Sequence, residues 1–165
     1  MKIGVIADIH GNHKALEAVL SFLEERVDVI FFAGDLVGYY PFIQECLQLM
    51  RGKKIISIRG NHDQVLIDFF ENKIPITNYQ NRYGSGLERG MNRLLKSDFQ
   101  KVASWPVVCT EKIENTVILM VHGTPWDKLN GRVYPDFTDW NLFDECIGDV
   151  ILMGHTHYPL IKEWG

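Results

Sequence analysis

The sequence predicts an α/β fold in which parallel strands are covered on both faces. Short, continuous apolar runs recur in KIGVIA, VDVIFFA and KKIISI, and the segments between them repeat their apolar residues at helical spacing. Each run also ends in a polar loop, and in such a sheet those loops gather along the carboxyl edge of the strands, where ligands bind.

In chain order, KIGVIA passes into DIHGNH, and HKALEAVLSFLEER then sets Ala15, Leu16, Val19, Leu20 and Leu23 on one helical face. VDVIFFA passes into GDLVGYYP, and FIQECLQLM repeats the pattern with Phe42, Ile43, Cys46, Leu47 and Met50. KKIISI passes into RGNHD, with QVLIDFF predicted to start a helix. From Asn72 to Trp105 the strand signal vanishes, and SGLERGMNRLL and SDFQKVASW predict two helices, the second capped by Ser97. VVCTEKIENTVILMV predicts two strands joined by a turn at Glu114 to Thr116. A long aromatic loop, HGTPWDKLNGRVYPDFTDW, follows, of the kind that more often carries function than decoration. A short helix near Trp140 to Cys146 then leads to DVILM and GHTH. The expectation is one domain over residues 1–165 with a helical insert at about 64–105.

Composition narrows the class of protein. The net charge of -4 gives no basic field of the kind that holds a nucleic-acid backbone, so a polynucleotide partner is not expected. Three cysteines, far apart and never in a C-x-x-C pair, suggest neither a disulfide framework nor a thiolate zinc site. Only five residues separate Lys2 from Asp8, too few for a signal-peptide core, and no run approaches the ~18 apolar residues of a membrane span. A cytoplasmic protein with no membrane partner is expected.

Five strand ends carry polar residues that need explaining: Asp8 and His10; Asp35; Asn61 with His62 and Asp63; His122; His155 and His157. Each has a plain structural reading. Asp8 and His10 suit a cap for the helix near His13, Asp35 suits a Gly-Asp turn, and Asn61-His62-Asp63 suits a helix N-cap. The ring pair of GHTH, on one face of extended chain, suits one metal ion, two, or none. What favours a metal site is recurrence at five successive strand ends. Counted as ligands, the set offers two carboxylates, one amide oxygen and four imidazoles, with His62 left over. That is too many donors for one tetrahedral ion and suits two ions sharing a carboxylate, the hydrolytic arrangement with a separation of roughly 3.5–4 Å. Oxygen and nitrogen donors without thiolate favour manganese, iron, zinc or nickel over calcium or magnesium.

DIHGN, GDLVG, RGNHD, VHGTP and GHTH, in this order across residues 8 to 157, resemble the signature blocks of the calcineurin-like metallophosphoesterase superfamily. Asp63 after GNH is similar to the stand-alone phosphodiesterase-type members of bacteria and archaea. The resemblance implies a four-layer αββα sandwich, two packed mixed sheets flanked by helices. It also implies that Asp8, His10 and His157 hold one divalent ion and Asn61, His122 and His155 a second, with Asp35 bridging. Manganese is the first expectation, and iron, zinc and nickel follow. His62 is then the substrate-facing acid, and Asn61 and His62 are expected to part because neighbours in extended chain point to opposite sides. Asp63 has two readings, orienting that imidazole or capping a helix.

The implied activity is hydrolysis of a small or nucleotide-like phosphoester by a metal-bridged hydroxide, of phosphodiesterase type. The alternatives are a phosphomonoesterase or protein phosphatase, and a non-catalytic scaffold of the same fold. Arg82, Tyr83, Arg89, Arg93, Trp126, Lys128 and Arg132 are candidate walls for the substrate. Family members usually continue with further strands after the last histidine block, whereas this sequence ends eight residues past His157. Two expectations follow: a compact closure here, or a shortened form lacking terminal strands and exposing sheet edge.

Overall fold

The three apolar runs of the N-terminal half become strands β1 (Ile3–Ile6), β2 (Val29–Phe32) and β3 (Ile55–Ser57) of one parallel sheet in the order β1-β2-β3. The computed structural model describes residues 1–163. Every residue of β2 is buried, because side chains alternate across a sheet covered on both faces. Ile30 and Phe32 face the helices, where they meet Leu16, Leu20, Ile43, Leu47 and Leu66. Val29 and Phe31 face the other way and meet Ile118 and Met120 of a second sheet.

That second sheet is mixed. β4 (Val108–Ile113) and β5 (Thr116–Val121) form the antiparallel pair expected from the turn at Glu114, and β6 (Val150–Leu152) runs parallel to β5. Two packed sheets with helices against the first match the expected sandwich, with one correction: the first sheet is parallel throughout and only the second is mixed. On the side of the second sheet the helical content after β5 shrinks, among the described residues, to a 3-10 helix at Trp140–Phe143. No strand follows β6 among the described residues.

The helices between strands follow the apolar spacing. α1 (His13–Leu23) buries Leu16 and Leu20, while Val19, expected on the same face, is 40% exposed at its margin. Its N-terminus is served by Asn12, whose Oδ1 accepts the Ala15 N–H at 3.2 Å, and not by Asp8 or His10. α2 (Ile43–Met50) buries Ile43, Cys46, Leu47 and Met50 as the spacing requires. The predicted insert holds more helix than expected. α3 (Asn61–Phe70) starts three residues before the QVLIDFF expected to open it, and α4 (Ile76–Tyr83) was not expected at all. α5 (Gly86–Met91) and α6 (Lys96–Ala103) follow. The first turn of α6 is served by Asp98, which accepts the Leu95 N–H at 3.4 Å, so the cap expected of Ser97 is corrected. No helix of the described residues is long and apolar enough to cross a membrane.

Candidate metal centre

The five polar strand ends meet at one place, where the carboxyl edges of the two sheets come together. Three groups of side chains lie there with their donor atoms within 4.8 Å of one another: Asp8, His10 and His157; Asp35, His122 and His155; and His10, Asp35 and His62. The first two groups are the sets expected for separate ions, apart from Asn61. That residue enters through its Oδ1, which lies 3.0 Å from His122 Nε2.

The backbone bends sharply to make this happen. Asp8, His10, Asp35, His155 and His157 all have positive φ, between 49° and 70°. Side chains rarely adopt that region, and each such residue costs on the order of 1–3 kcal/mol unless its surroundings over-determine it. Only Asn72 and Glu114 among the other described non-glycine residues share it. The extended geometry expected at GHTH is therefore corrected: β6 stops at Leu152, and the left-handed turns at His155 and His157 send the two rings to different groups. Asn61 and His62 are likewise not extended. They are the first residues of α3, and their side chains part because successive helical residues are rotated by about 100°.

Asp35 is the hinge of the arrangement. It is 1% exposed, and its Oδ1 accepts the His62 N–H at 2.9 Å, at the electropositive N-terminus of α3. Its Oδ2 is left 3.8 Å from His10 Nε2 and 3.3 Å from His122 Nε2, facing both groups. Gly60 makes this approach feasible, since a Cβ there would lie 2.1 Å from Asp35 Oδ1. Asp8 is fixed from the other side: both of its oxygens accept the backbone N–H of His155, at 3.1 and 3.0 Å.

The ring nitrogens are sorted by their outer partners. His10 Nδ1 lies 3.0 Å from the Val37 carbonyl and His122 Nδ1 lies 2.8 Å from the Ala33 carbonyl. A carbonyl only accepts, so each Nδ1 carries the proton and each Nε2 turns its lone pair inward, the tautomer a metal ligand needs. Those lone pairs point into the centre: His122 Nε2 faces two acceptors, Asn61 Oδ1 and Asp35 Oδ2, and His10 Nε2 lies 3.1 Å from His157 Nε2. Acceptors packed around His122 Nε2 require a cation between them. Without a metal that cation is a proton. Burial alone would lower the His122 pKa, but the hydrogen bond and charge of Asp35 outweigh it and raise it to about 9. His155 Nε2 accepts from Arg132 Nε at 3.0 Å, so in the neutral ring Nδ1 carries the proton and Nε2 is the nitrogen whose lone pair an ion would take over from Arg132. Burial, helped by the charges of His122 and Arg132, lowers the His155 pKa to about 4, so that ring is neutral at neutral pH.

Asp63 turns out to be a structural group. Its Oδ2 accepts the N–H of Asp35 at 2.9 Å and of Gly60 at 3.0 Å, and its Oδ1 accepts the N–H of Val37 at 3.1 Å. Of its two expected readings, the helix cap describes it, since both oxygens are engaged away from the His62 ring. Burial, with the Asp35 charge second, pushes its carboxyl up, and the N–H bonds of Gly60 and Val37 pull it down. The partner of His62 is instead Tyr79 of α4, a residue the sequence reading did not single out.

A cavity of about 270 Å³ opens over the cluster, walled by Tyr39 and Tyr83 together with Arg132 and Tyr134. Of the expected walls, Tyr83 and Arg132 line it, while Arg82, Arg89, Arg93, Trp126 and Lys128 do not. Arg93 instead pairs with Glu45 at 2.5 Å.

Similarity to known proteins points the same way. An uncharacterised protein of Methanocaldococcus jannaschii is 33% identical over 97% of this chain and 64% of its own length. A crystal structure described as a metallophosphoesterase from Sphaerobacter thermophilus is 32% identical, with a TM-score of 0.75 over 95% of this chain and 61% of that one. A hypothetical protein of Pyrococcus horikoshii OT3 shares the fold, with a TM-score of 0.78 at 23% identity over 96% of this chain and 71% of that one. This chain thus spans less than two thirds of the archaeal relative's length. With two carboxylates and five histidines converging at the ends of two packed sheets, and a match to the family description from residue 1 to residue 162, the chain belongs to the calcineurin-like phosphoesterases.

Proposed function

We propose that the chain is a metal-dependent phosphodiesterase acting on a small or nucleotide-like phosphoester in the cytoplasm. The observation that carries the reading is Asp35, one of whose oxygens is fixed by a helix N-terminus while the other faces both donor groups. Asp8, His10 and His157 would hold one divalent ion and Asn61, His122 and His155 another, with Asp35 shared. The donor set fits this: two rings have Nδ1 committed to backbone carbonyls and Nε2 free, and oxygen and nitrogen donors without thiolate suit manganese first, then iron, zinc or nickel. When bound, such a pair supplies Lewis acidity to the phosphoryl oxygens and lowers the pKa of the attacking water.

The chain's own residues do the rest. Arg132, exposed at the cavity wall and without a carboxylate partner among the described residues, faces an incoming phosphate with its guanidinium. Tyr39 and Tyr83 offer aromatic faces to the group esterified to it. His62 is the acid. Burial lowers its pKa to about 4 against the charge of Asp35, and a phosphoester anion against the ring favours the charged form again. The imidazolium then gives its proton to the departing oxygen as the P–O bond breaks, and the electron pair of that bond stays on the oxygen.

The diester preference follows the resemblance at Asp63 and is tested by comparing bis-p-nitrophenyl phosphate with p-nitrophenyl phosphate under manganese, iron, zinc and nickel. Faster turnover of the diester is expected. A strong preference for the monoester would favour the phosphatase reading, and no bound metal and no hydrolysis with any of the four would favour a scaffold. His62→Ala should lower turnover by about 10²–10⁴-fold with metal content unchanged. Loss of metal in that variant would make His62 a ligand.

A further inference from the structure

We propose that Tyr79 is the positioning residue of His62, its hydroxyl holding the ring so that Nε2 faces the leaving oxygen of the substrate. The inference rests on the phosphoesterase reading of the same site and adds to it a residue from the helical insert. Its base is one contact: Tyr79 Oη lies 2.5 Å from His62 Nδ1, with both residues buried.

Three observations give that contact its meaning. The neighbouring carboxylate is not available for the task, because the two oxygens of Asp63 already serve the N–H groups of Asp35, Val37 and Gly60. Tyr79 has no other hydrogen-bond partner among the described residues, so its buried O–H is satisfied only by the ring. Its own ring is clamped, 4.8 Å from Tyr83 and 6.1 Å from Phe69, centroid to centroid, so the hydroxyl is held in place. Tyr79 does not line the cavity whereas His62 does, so any influence on substrate passes through the imidazole.

The choice of a phenol has a chemical consequence. A hydroxyl donates to a bare Nδ1 and accepts from Nδ1–H, so it keeps the same ring orientation in the resting neutral ring and in the imidazolium that gives up its Nε2 proton. A carboxylate only accepts, and would hold the ring only while Nδ1 carries a proton. α4 therefore completes the site from outside it, and the acid's aim depends on how that helix packs.

The test is Tyr79→Phe, which removes one oxygen and keeps the clamped ring. Phosphodiesters of one acid with 4-nitrophenol, phenol and an aliphatic alcohol as leaving groups separate positioning from general damage, because only the poorer leaving groups need a proton. For phenol and the alcohol, kcat should fall by about 10-fold or more, a fraction of what a general acid supplies. For 4-nitrophenol it should change less than about two-fold, with KM and metal content unchanged. An equal loss for all three leaving groups would overturn the proposal while leaving the phosphoesterase reading intact. If the wild type hydrolyses none of the esters, that reading fails, and imidazole 15N spectra still decide the positioning. In the neutral wild-type protein His62 should show a bare, hydrogen-bonded Nδ1 and a protonated Nε2, and Tyr79→Phe should mix the tautomers. A wild-type ring with mixed tautomers would end the proposal even if the variant failed to fold.

Discussion

The two sheets contribute to the centre in different ways. From the parallel sheet come Asp8, His10, Asp35, Asn61 and His62, on loops closed over by helices, with His10, Asp35 and His62 at most 5% exposed. From the mixed sheet come His122, fully buried, and then His155 and His157 on a turn, the His157 side chain 45% exposed. On the first side nearly every polar atom has a second partner in the protein: Asp35 through His62 N–H, His10 through Val37, and the whole loop through Asp63. On the second side His155 leans on one exposed arginine, and the His157 ring, apart from a ring contact with Tyr39 at 6.4 Å, meets other members of the centre. A wall that is already built and a wall that needs an ion to finish it should respond differently to the same kind of change.

The largest difference should come from Asp63→Ala. It leaves the N–H groups of Asp35, Val37 and Gly60 unpaired in a fully buried place, at about 1–3 kcal/mol for each such group and with imperfect additivity, so a loss of about 3 kcal/mol or more is expected. Urea unfolding of the metal-stripped protein measures it. Asp63→Asn, which keeps one acceptor, should recover part of the loss; a loss below about 1 kcal/mol for the alanine variant would show that the loop relaxes and that this side is less built than it looks.

His157→Ala sharpens the contrast from the other side. The ring is half exposed, and its ring contact outside the centre is with the exposed Tyr39, so stability without metal should change by no more than about 0.5 kcal/mol. Affinity for manganese at one of the two proposed sites should fall by roughly 100-fold or more, beyond what a supporting residue contributes. Calorimetric titration of manganese into both proteins reads this directly. Equal affinities would remove His157 from the ligand set.

How much of this was legible in the sequence depends on which interaction fixes each residue. The strand ends were readable because a parallel sheet covered on both faces needs unbroken apolar runs, and Ile30, Phe31 and Phe32 fill both cores as that rule demands. The convergence of the polar residues followed, since the loops after such strands have one edge to occupy. The way the residues are aimed was not readable. Positive φ at five of them is imposed by backbone bonds such as Asp8 N–H to Gly34 and His10 N–H to Asp35, which have no sequence signature. α4 escaped because ITNYQNRY has few apolar residues and few good helix formers, so its helix is held by tertiary contacts such as Tyr79 on Phe69. With α4 hidden, the link from Tyr79 to His62 was hidden too, and Asp63, next in sequence, looked like the natural partner.

The third prediction concerns pH and the proton that His122 holds in place of an ion. Its folded pKa, about 9, lies above the unfolded value of 6.5, so the stabilisation from its charge is fully present below pH 6.5. It is lost as pH rises through 9. Metal-stripped protein should therefore become less stable from pH 6.5 to 9, and His122→Asn should flatten that slope. Manganese affinity should rise over the same window, because the ion displaces the proton. A metal-stripped protein whose stability is level across this window would mean that Asp35 and His122 are not paired when the site lacks metal.

The smallest effect, and the most selective, should come from Arg132→Ala. Arg132 belongs to neither sheet, yet its Nε donates to His155 Nε2 at 3.0 Å and so occupies the lone pair that an ion would need. Removing it should leave the fold untouched, because the side chain is exposed and has no carboxylate partner among the described residues. It should also free the lone pair of His155 Nε2. Manganese affinity should then rise by up to about 10-fold, the net worth of one hydrogen bond. Arg132→Lys separates two roles in one step: it keeps the charge that faces substrate but loses the planar fork that holds the ring. If the lysine variant keeps substrate affinity while binding manganese like the alanine variant, Arg132 serves both the ring and the substrate through different atoms. If both variants bind manganese like the wild type, the Arg132 bond does not compete with an ion, and the second wall is as finished as the first.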